Sequence, residues 1–316
     1  MLPYCTPNGS LSFSPSGTGS AEHQNINEIV GIIYLAHGIV FIPLSCFVLS
    51  VFSSKSLWQH SCYNIMAFVN VLDILNLFNA CVFAGLFSLL EITHCNHGMW
   101  VVYVSSWQFG VWFLYCGACQ VLAFNRFVQF FNRNLAESLF AGKMVYFWLI
   151  VVLAYCGALN AAIPDPFYFY NPFQGSFYFL RASGEVGECG ANLREFGKGG
   201  LYYCSLSVDA LLLFLDTRKI DSTKKISTFH LKVSIQTLVI AILADLCAGF
   251  YMAESYIALP DSFLRYAGTL AQLVWIYLHA GTALVYLIMN KTVHSRLRNL
   301  FNRPNVTVVT VNGSVS

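Results

Sequence analysis

Residues 119–131 read CQVLAFNRFVQFF and hold the first charge after Glu91: every position from Ile92 to Asn125 is uncharged, and Arg126 follows directly. Three carboxylates stand in equally apolar surroundings, Asp73, Asp209 and Asp245. A charged side chain at mid-membrane costs roughly 3 kcal/mol even on lenient insertion scales, so each acid must face protein or hold a proton. No Lys or Arg sits at matching depth to pair with them, and His37 and His279 stand alone in their apolar segments. Cys116 and Cys119 form a CxxC, but no second pair or histidine completes a zinc site. His94, Cys95 and His97 read as loop residues rather than ligands, so neither metal nor cofactor is expected. HExxH, GxSxG, P-loop and dinucleotide patterns are all missing, which points away from an enzyme. The chemistry left to these residues is binding and switching through charge and hydrogen bonds.

The elements that must position them follow from composition. Of 316 residues, 57% are hydrophobic and 10% charged, against roughly 25% charged in a soluble domain. So few charges cannot cover a water-exposed surface, and most of this surface must face lipid. A net charge of +2 without basic runs gives no reason to expect a nucleic-acid partner. A helix needs roughly 20 mostly apolar residues to cross a bilayer. Seven segments qualify, about 28–52, 61–90, 98–124, 143–163, 199–216, 231–253 and 264–290. The fifth is short and contains Asp209. Their continuous apolar character predicts helices, since a membrane barrel would alternate at every second residue. The fold class is therefore an all-α membrane protein, a bundle of seven helices.

Orientation comes from the loops. With the N-terminus outside, thirteen Lys and Arg fall on the cytoplasmic side and only Arg181, Arg194, Lys198 and Arg265 on the other. Residues 1–27, polar and turn-rich, are expected to be disordered and extracellular. Residues 291–316 form the cytoplasmic end. There KTVHSRLRNLF places Val293, Leu297, Leu300 and Phe301 on one face, a short amphipathic helix for the inner leaflet. Asn8-Gly9-Ser10 is an outer glycosylation sequon. Cys95 and Cys189 fall in the first and second outer loops, and a disulfide between them is the expected pairing, with a bridge of either to Cys5 left open. The second outer loop carries eight aromatics among the seventeen residues 164–180. Its turn signals at 171–172 and 174–175 suit a hairpin folded down onto the helices, as an entrance to a site or as a plug.

HSCYNIMAFVNVLDIL (60–75), LAFNRF (122–127) followed by NLAESLFAGK (134–143), and WIYLHAGTALVYLIMNKTV (275–293) occur in order and at matching depths. Together they resemble the nematode serpentine chemoreceptors of class T over about residues 28–301. The resemblance implies a sensory G-protein-coupled receptor of the plasma membrane, on the cilia of sensory neurons, with a small-molecule ligand and a heterotrimeric G protein as partners. It places Arg126 where rhodopsin-like receptors carry the arginine that ties the third helix to the sixth at rest and meets the G protein when freed. The neighbouring acid of that motif is replaced here by Asn125, whose hydrogen bond is weaker than a charge-assisted one. The other reading of Arg126 is a side chain snorkelling to the interface. Asp73 takes the position of an intramembrane polar hub, often holding sodium in related receptors, to which Asn290 contributes if the helices bring it near. Asp209, Asp245 and His279 are candidates for ligand contact or switching. The seventh segment lacks the proline that usually follows His-Gly in the family, since it reads His279-Ala280-Gly281-Thr282.

A transporter or ligand-gated channel of seven spans is the alternative. It calls for a continuous polar path and broken helices near the midplane, of which the three acids are the only sign.

Overall fold

The computed structural model describes residues 4–7, 9–11, 21–161, 166–181, 228–256 and 261–301. Apolar runs in hydrocarbon must satisfy their own backbone, and these do so as long helices. The first span is Ala21–Phe52, and the second begins at Ser61 and ends at Leu89. The third is Trp100–Phe131, the fourth Met144–Ala161, the sixth Thr228–Tyr256 and the seventh Asp261–Met289. The fifth segment expected from sequence, 199–216, and with it Asp209, lies outside the described residues. Five of these helices are long and apolar enough to cross a membrane, and the sixth span adds a shorter apolar stretch, Ile235–Tyr251.

Burial separates centre from periphery. The second and third spans are each 67% buried across their apolar windows, whereas the first is 22% and the fourth 17% buried. The third span packs on the second, fourth and sixth, and the seventh closes the bundle against the first, second and sixth. Small residues set the tightest approach. A Cβ on Gly31 would lie 2.7 Å from the Gly85 carbonyl oxygen, so only glycine lets the first and second spans meet there. The second span widens into a π-helical stretch, Phe78–Phe83. A wide turn leaves a carbonyl open to other donors, and Gln272 of the seventh span uses it, donating to Ala80 O at 3.2 Å.

One end of the bundle is closed by an antiparallel hairpin, β1 (Pro166–Asn171) and β2 (Ser176–Arg181). Its aromatics turn inward: Phe167, Tyr168, Phe169, Tyr170 and Phe177 are all buried, as are Asn171 and Gln174 at the turn. Tyr34 donates to Gly175 O at 2.8 Å and Thr269 to Gln174 O at 3.3 Å, so first and seventh spans both grip the turn. Ser88 and Tyr170 share a hydrogen bond of 2.6 Å, and the Tyr168 ring meets Phe109 at 4.6 Å. Of the two sequence readings of this loop, the geometry is that of a plug seated in the helices.

A strap formed by residues 4–7 and 9–11 lies over the plug, contrary to the disorder expected of residues 1–27. Leu11 is buried, Cys5 and Leu11 form a β-bridge, and Tyr4 packs on Phe167 and Phe169 at 5.8 and 5.7 Å. The polar composition of the segment hid two apolar anchors and one covalent one. Cys95, in the short helix His94–His97, is bonded to Cys5. The expected Cys95–Cys189 pairing is thereby corrected, because a sulfur engaged with Cys5 is unavailable to a second cysteine, and Cys189 lies outside the described residues.

At the opposite end, the helix Arg133–Phe140 docks on the fourth span through Trp148, which donates to Leu139 O at 2.9 Å and stacks on Phe140 at 5.3 Å. Lys291–Phe301 forms the amphipathic helix, with Val293 buried and Arg296 and Arg298 exposed.

Candidate functional site

Asp73 and His279 occupy the middle of the second and seventh spans, and neither side chain has any exposure. His279 Nδ1 and Asp73 Oδ1 are 2.7 Å apart and share a proton. A carboxylic acid beside a neutral imidazole and a carboxylate beside an imidazolium carry the same zero net charge. The pair thus solves the midplane problem that neither residue solves alone. Reading each segment separately made His279 look solitary. Comparing the depth of each residue within its own span would have found the partner.

Asn290 does not join this hub. It follows the seventh span, and its Oδ1 accepts from the Thr292 and Val293 amides at 3.0 and 3.4 Å. That is an N-cap for the amphipathic helix. It lies eleven positions beyond His279, about 16 Å along the axis.

Toward the hairpin end, the pair is roofed by rings from three spans. Tyr115 meets the His279 ring edge-on at 4.6 Å, Trp112 contacts Trp275 at 4.6 Å, and Tyr251 contacts Trp275 at 5.4 Å. Trp275, Tyr115 and Tyr286 are fully buried. Three donor or acceptor atoms around this cluster, Trp275 Nε1, His279 Nε2 and Asp73 Oδ2, have no hydrogen-bond partner among the described residues. Asp245 of the sixth span lies within electrostatic range of Cys116 on the third. The bonded pair ties the second span to the seventh directly beneath this aromatic layer.

Toward the other end the seventh span carries Tyr286, within electrostatic range of both Asp73 and Arg126. Arg126 is buried, with 5% exposure, and so does not reach out to the interface as a snorkelling side chain would. It donates from one terminal nitrogen to Gln129 Oε1 at 3.0 Å, while its Nε and second terminal nitrogen have no hydrogen-bond partner among the described residues. Asn125, fully buried beside it, has neither side-chain atom bonded among the described residues. Among the described residues no carboxylate pairs with Arg126, whereas Arg133 and Glu137 bond to each other at 3.1 Å on the surface. The arrangement leaves a cation held in place by packing, with hydrogen-bonding capacity in reserve.

Two further candidates end differently. Asn8 lies outside the described residues. Cys5, His94 and Cys95 bring their ligand atoms within 4.8 Å of one another, with the two sulfurs engaged in the disulfide.

Among the described residues, six spans form a helical membrane bundle with a plugged end, a midplane polar pair under an aromatic roof, and a buried arginine at the far end. A family model, the serpentine type 7TM GPCR chemoreceptor Srt, matches residues 11–309. The chain belongs to this family of G-protein-coupled chemoreceptors. No curated protein matches it. Among solved structures, squid rhodopsin is similar in fold, with a TM-score of 0.69 at 12% identity over 95% of this chain and 90% of the other.

Proposed function

We propose that the chain is a chemosensory receptor that binds a small external molecule and activates a heterotrimeric G protein. In this reading residues 1–27 and the hairpin end face outward, 28–290 form the bundle, and 291–316 are cytoplasmic. The protein sits in the plasma membrane, in the cilia of sensory neurons by analogy with the family, and its amphipathic helix rests on inner-leaflet lipid. The ligand enters the outer halves of the third, fifth, sixth and seventh spans beneath the hairpin. There it meets the Trp112–Trp275–Tyr251 rings, with Asp209 and Asp245 as polar contacts.

One observation carries this reading: buried groups run from the aromatic roof through the bonded His279–Asp73 pair to Tyr286, which lies within electrostatic range of both Asp73 and Arg126. A ligand that parts Trp112 from Trp275 releases His279 toward a second arrangement. The seventh span then moves Tyr286 against Arg126, and the inner ends of the third and sixth spans separate. Such a shift requires only that the ligand bind the second arrangement more tightly than the first. Asn125 and Arg126 provide the coupling surface, and the missing acid lowers the barrier to freeing the arginine.

The test is expression with a panel of G proteins, a broad set of odorants and metabolites, and a readout of G-protein dissociation. The expected result is a ligand-evoked signal that Arg126→Ala abolishes while surface exposure is retained. An Arg126→Ala receptor that signals normally would overturn the coupling role. A ligand-evoked current independent of G proteins would instead favour the transporter or channel class.

A further inference from the structure

We propose that the Cys5–Cys95 disulfide is a thiol-exchange site, at which small external thiolates unclasp the strap from the hairpin with His94 assisting the departure of Cys95. The bond joins residues 90 apart in sequence with Cα atoms 5.6 Å apart. Both cysteines are half-buried, so a reagent has access from the strap side, while His94 behind them is fully buried. Its Nε2 lies 3.6 Å from Cys95 Sγ. The ring is held there by Phe167 and Phe169, at 5.1 and 4.8 Å, and has little freedom to swing away.

The two sulfurs are therefore unequal. A thiolate attacking Cys5 Sγ along the S–S axis forms a new S–S bond as the Cys5–Cys95 bond breaks. The electron pair leaves on Cys95 Sγ, and the resulting thiolate takes a hydrogen bond or proton from His94. Exchange runs faster when the leaving thiolate is stabilised, which favours this direction over attack at Cys95. The products are a mixed disulfide on Cys5 and a free Cys95, with no net oxidation or reduction. A second thiolate releases Cys5 as a thiol and forms the external disulfide.

Opening the bond matters because it is the covalent tie between the strap and the first outer loop. The strap's apolar contacts are Tyr4 against the two hairpin phenylalanines and Leu11 in the same cluster. The two side chains offset only part of the entropy of ordering the strap's backbone, so loss of the tether favours undocking. Its departure exposes Phe167 and Phe169 and loosens the plug. This chemistry is independent of which ligand the bundle accepts.

The test uses full-length receptor in lipid nanodiscs, 2-mercaptoethanesulfonate as the thiol, and alkylation-quenched mass spectrometry. The first adduct is expected on Cys5 with Cys95 alkylated. His94→Phe, which keeps the ring packing, should slow opening on the order of tenfold, the worth of one hydrogen bond to a charged group. His94→Gln, which retains an N–H donor, should recover most of that rate. Amide exchange across residues 166–181 should rise after opening. A first adduct on Cys95, an unchanged rate in His94→Phe, or unchanged hairpin exchange after opening would each overturn the proposal. Should His94→Phe fail to fold, the adduct position in the native chain and the His94→Gln rate decide it.

Discussion

Replacing Gly268 with alanine would place a methyl group 2.5 Å from the Gln174 carbonyl oxygen and 2.7 Å from Ser176 Oγ. Ordinary van der Waals contact begins near 3.4 Å, so the hairpin turn has to retreat by almost an ångström. The obstacle is backbone, which cannot swing aside as a side chain would. Two hydrogen bonds stand to be lost in the retreat, Tyr34 to Gly175 O at 2.8 Å and Thr269 to Gln174 O at 3.3 Å. At about 1 kcal/mol each, with overpacking adding roughly 1–2 kcal/mol, the plug should be loosened by about 3–4 kcal/mol. Since about 1.4 kcal/mol corresponds to a factor of ten, local opening should become on the order of 100- to 1000-fold more frequent. Hydrogen exchange of the 166–181 amides reads this directly. Gly249→Ala is the control, because a Cβ there meets nothing within 4 Å. If Gly268→Ala protects the hairpin amides as well as the native chain does, the turn is not seated against the seventh span and the argument from close approach fails.

Four other outcomes follow from the same structure. His279→Leu leaves Asp73 alone at the midplane and should destabilise the bundle by roughly 3–5 kcal/mol, whereas the double change Asp73→Leu/His279→Leu should recover much of it; thermal unfolding in detergent compares the two. Gly31→Ala forces the first and second spans apart and should lower the unfolding temperature, while Gly157→Ala, where a Cβ meets nothing within 4 Å, should not. Ser88→Ala removes the 2.6 Å bond to Tyr170 and should cost about 1 kcal/mol, measurable as a modest rise in hairpin exchange. With the N-terminus outside, glycosidase treatment should reduce the mass of the native chain from animal cells and leave Asn8→Gln unchanged; an unglycosylated native chain would count against Asn8 as an acceptor.

The spans were legible because lipid imposes one rule on long apolar runs, and that rule needs no tertiary information. The amphipathic character of 291–301 was equally local. The hairpin could be expected from its aromatics and turn residues, but its depth could not, since that depends on Gly268 clearing space on the seventh span. His279 illustrates the larger limit: its meaning lies in Asp73, and only the packing of the second span on the seventh brings them together. Cys95 failed for a related reason. Loop membership narrows the choice of partner, but the strap that delivers Cys5 is held by Tyr4 and Leu11, two contacts too sparse to stand out in a polar segment.

The partnership of Asp73 and His279 spans 206 residues of sequence, and a ribosome delivers it in that order. At about 5–20 residues per second, the second span waits on the order of 10–40 seconds for its counterpart. During that interval the nascent chain carries an unmatched acid in the bilayer, held as the protonated form or shielded by the insertion machinery. A chain that stops short of the seventh span never leaves that state. Among the described residues His279 is the group bonded to Asp73, so the acid is matched only when the last helix arrives.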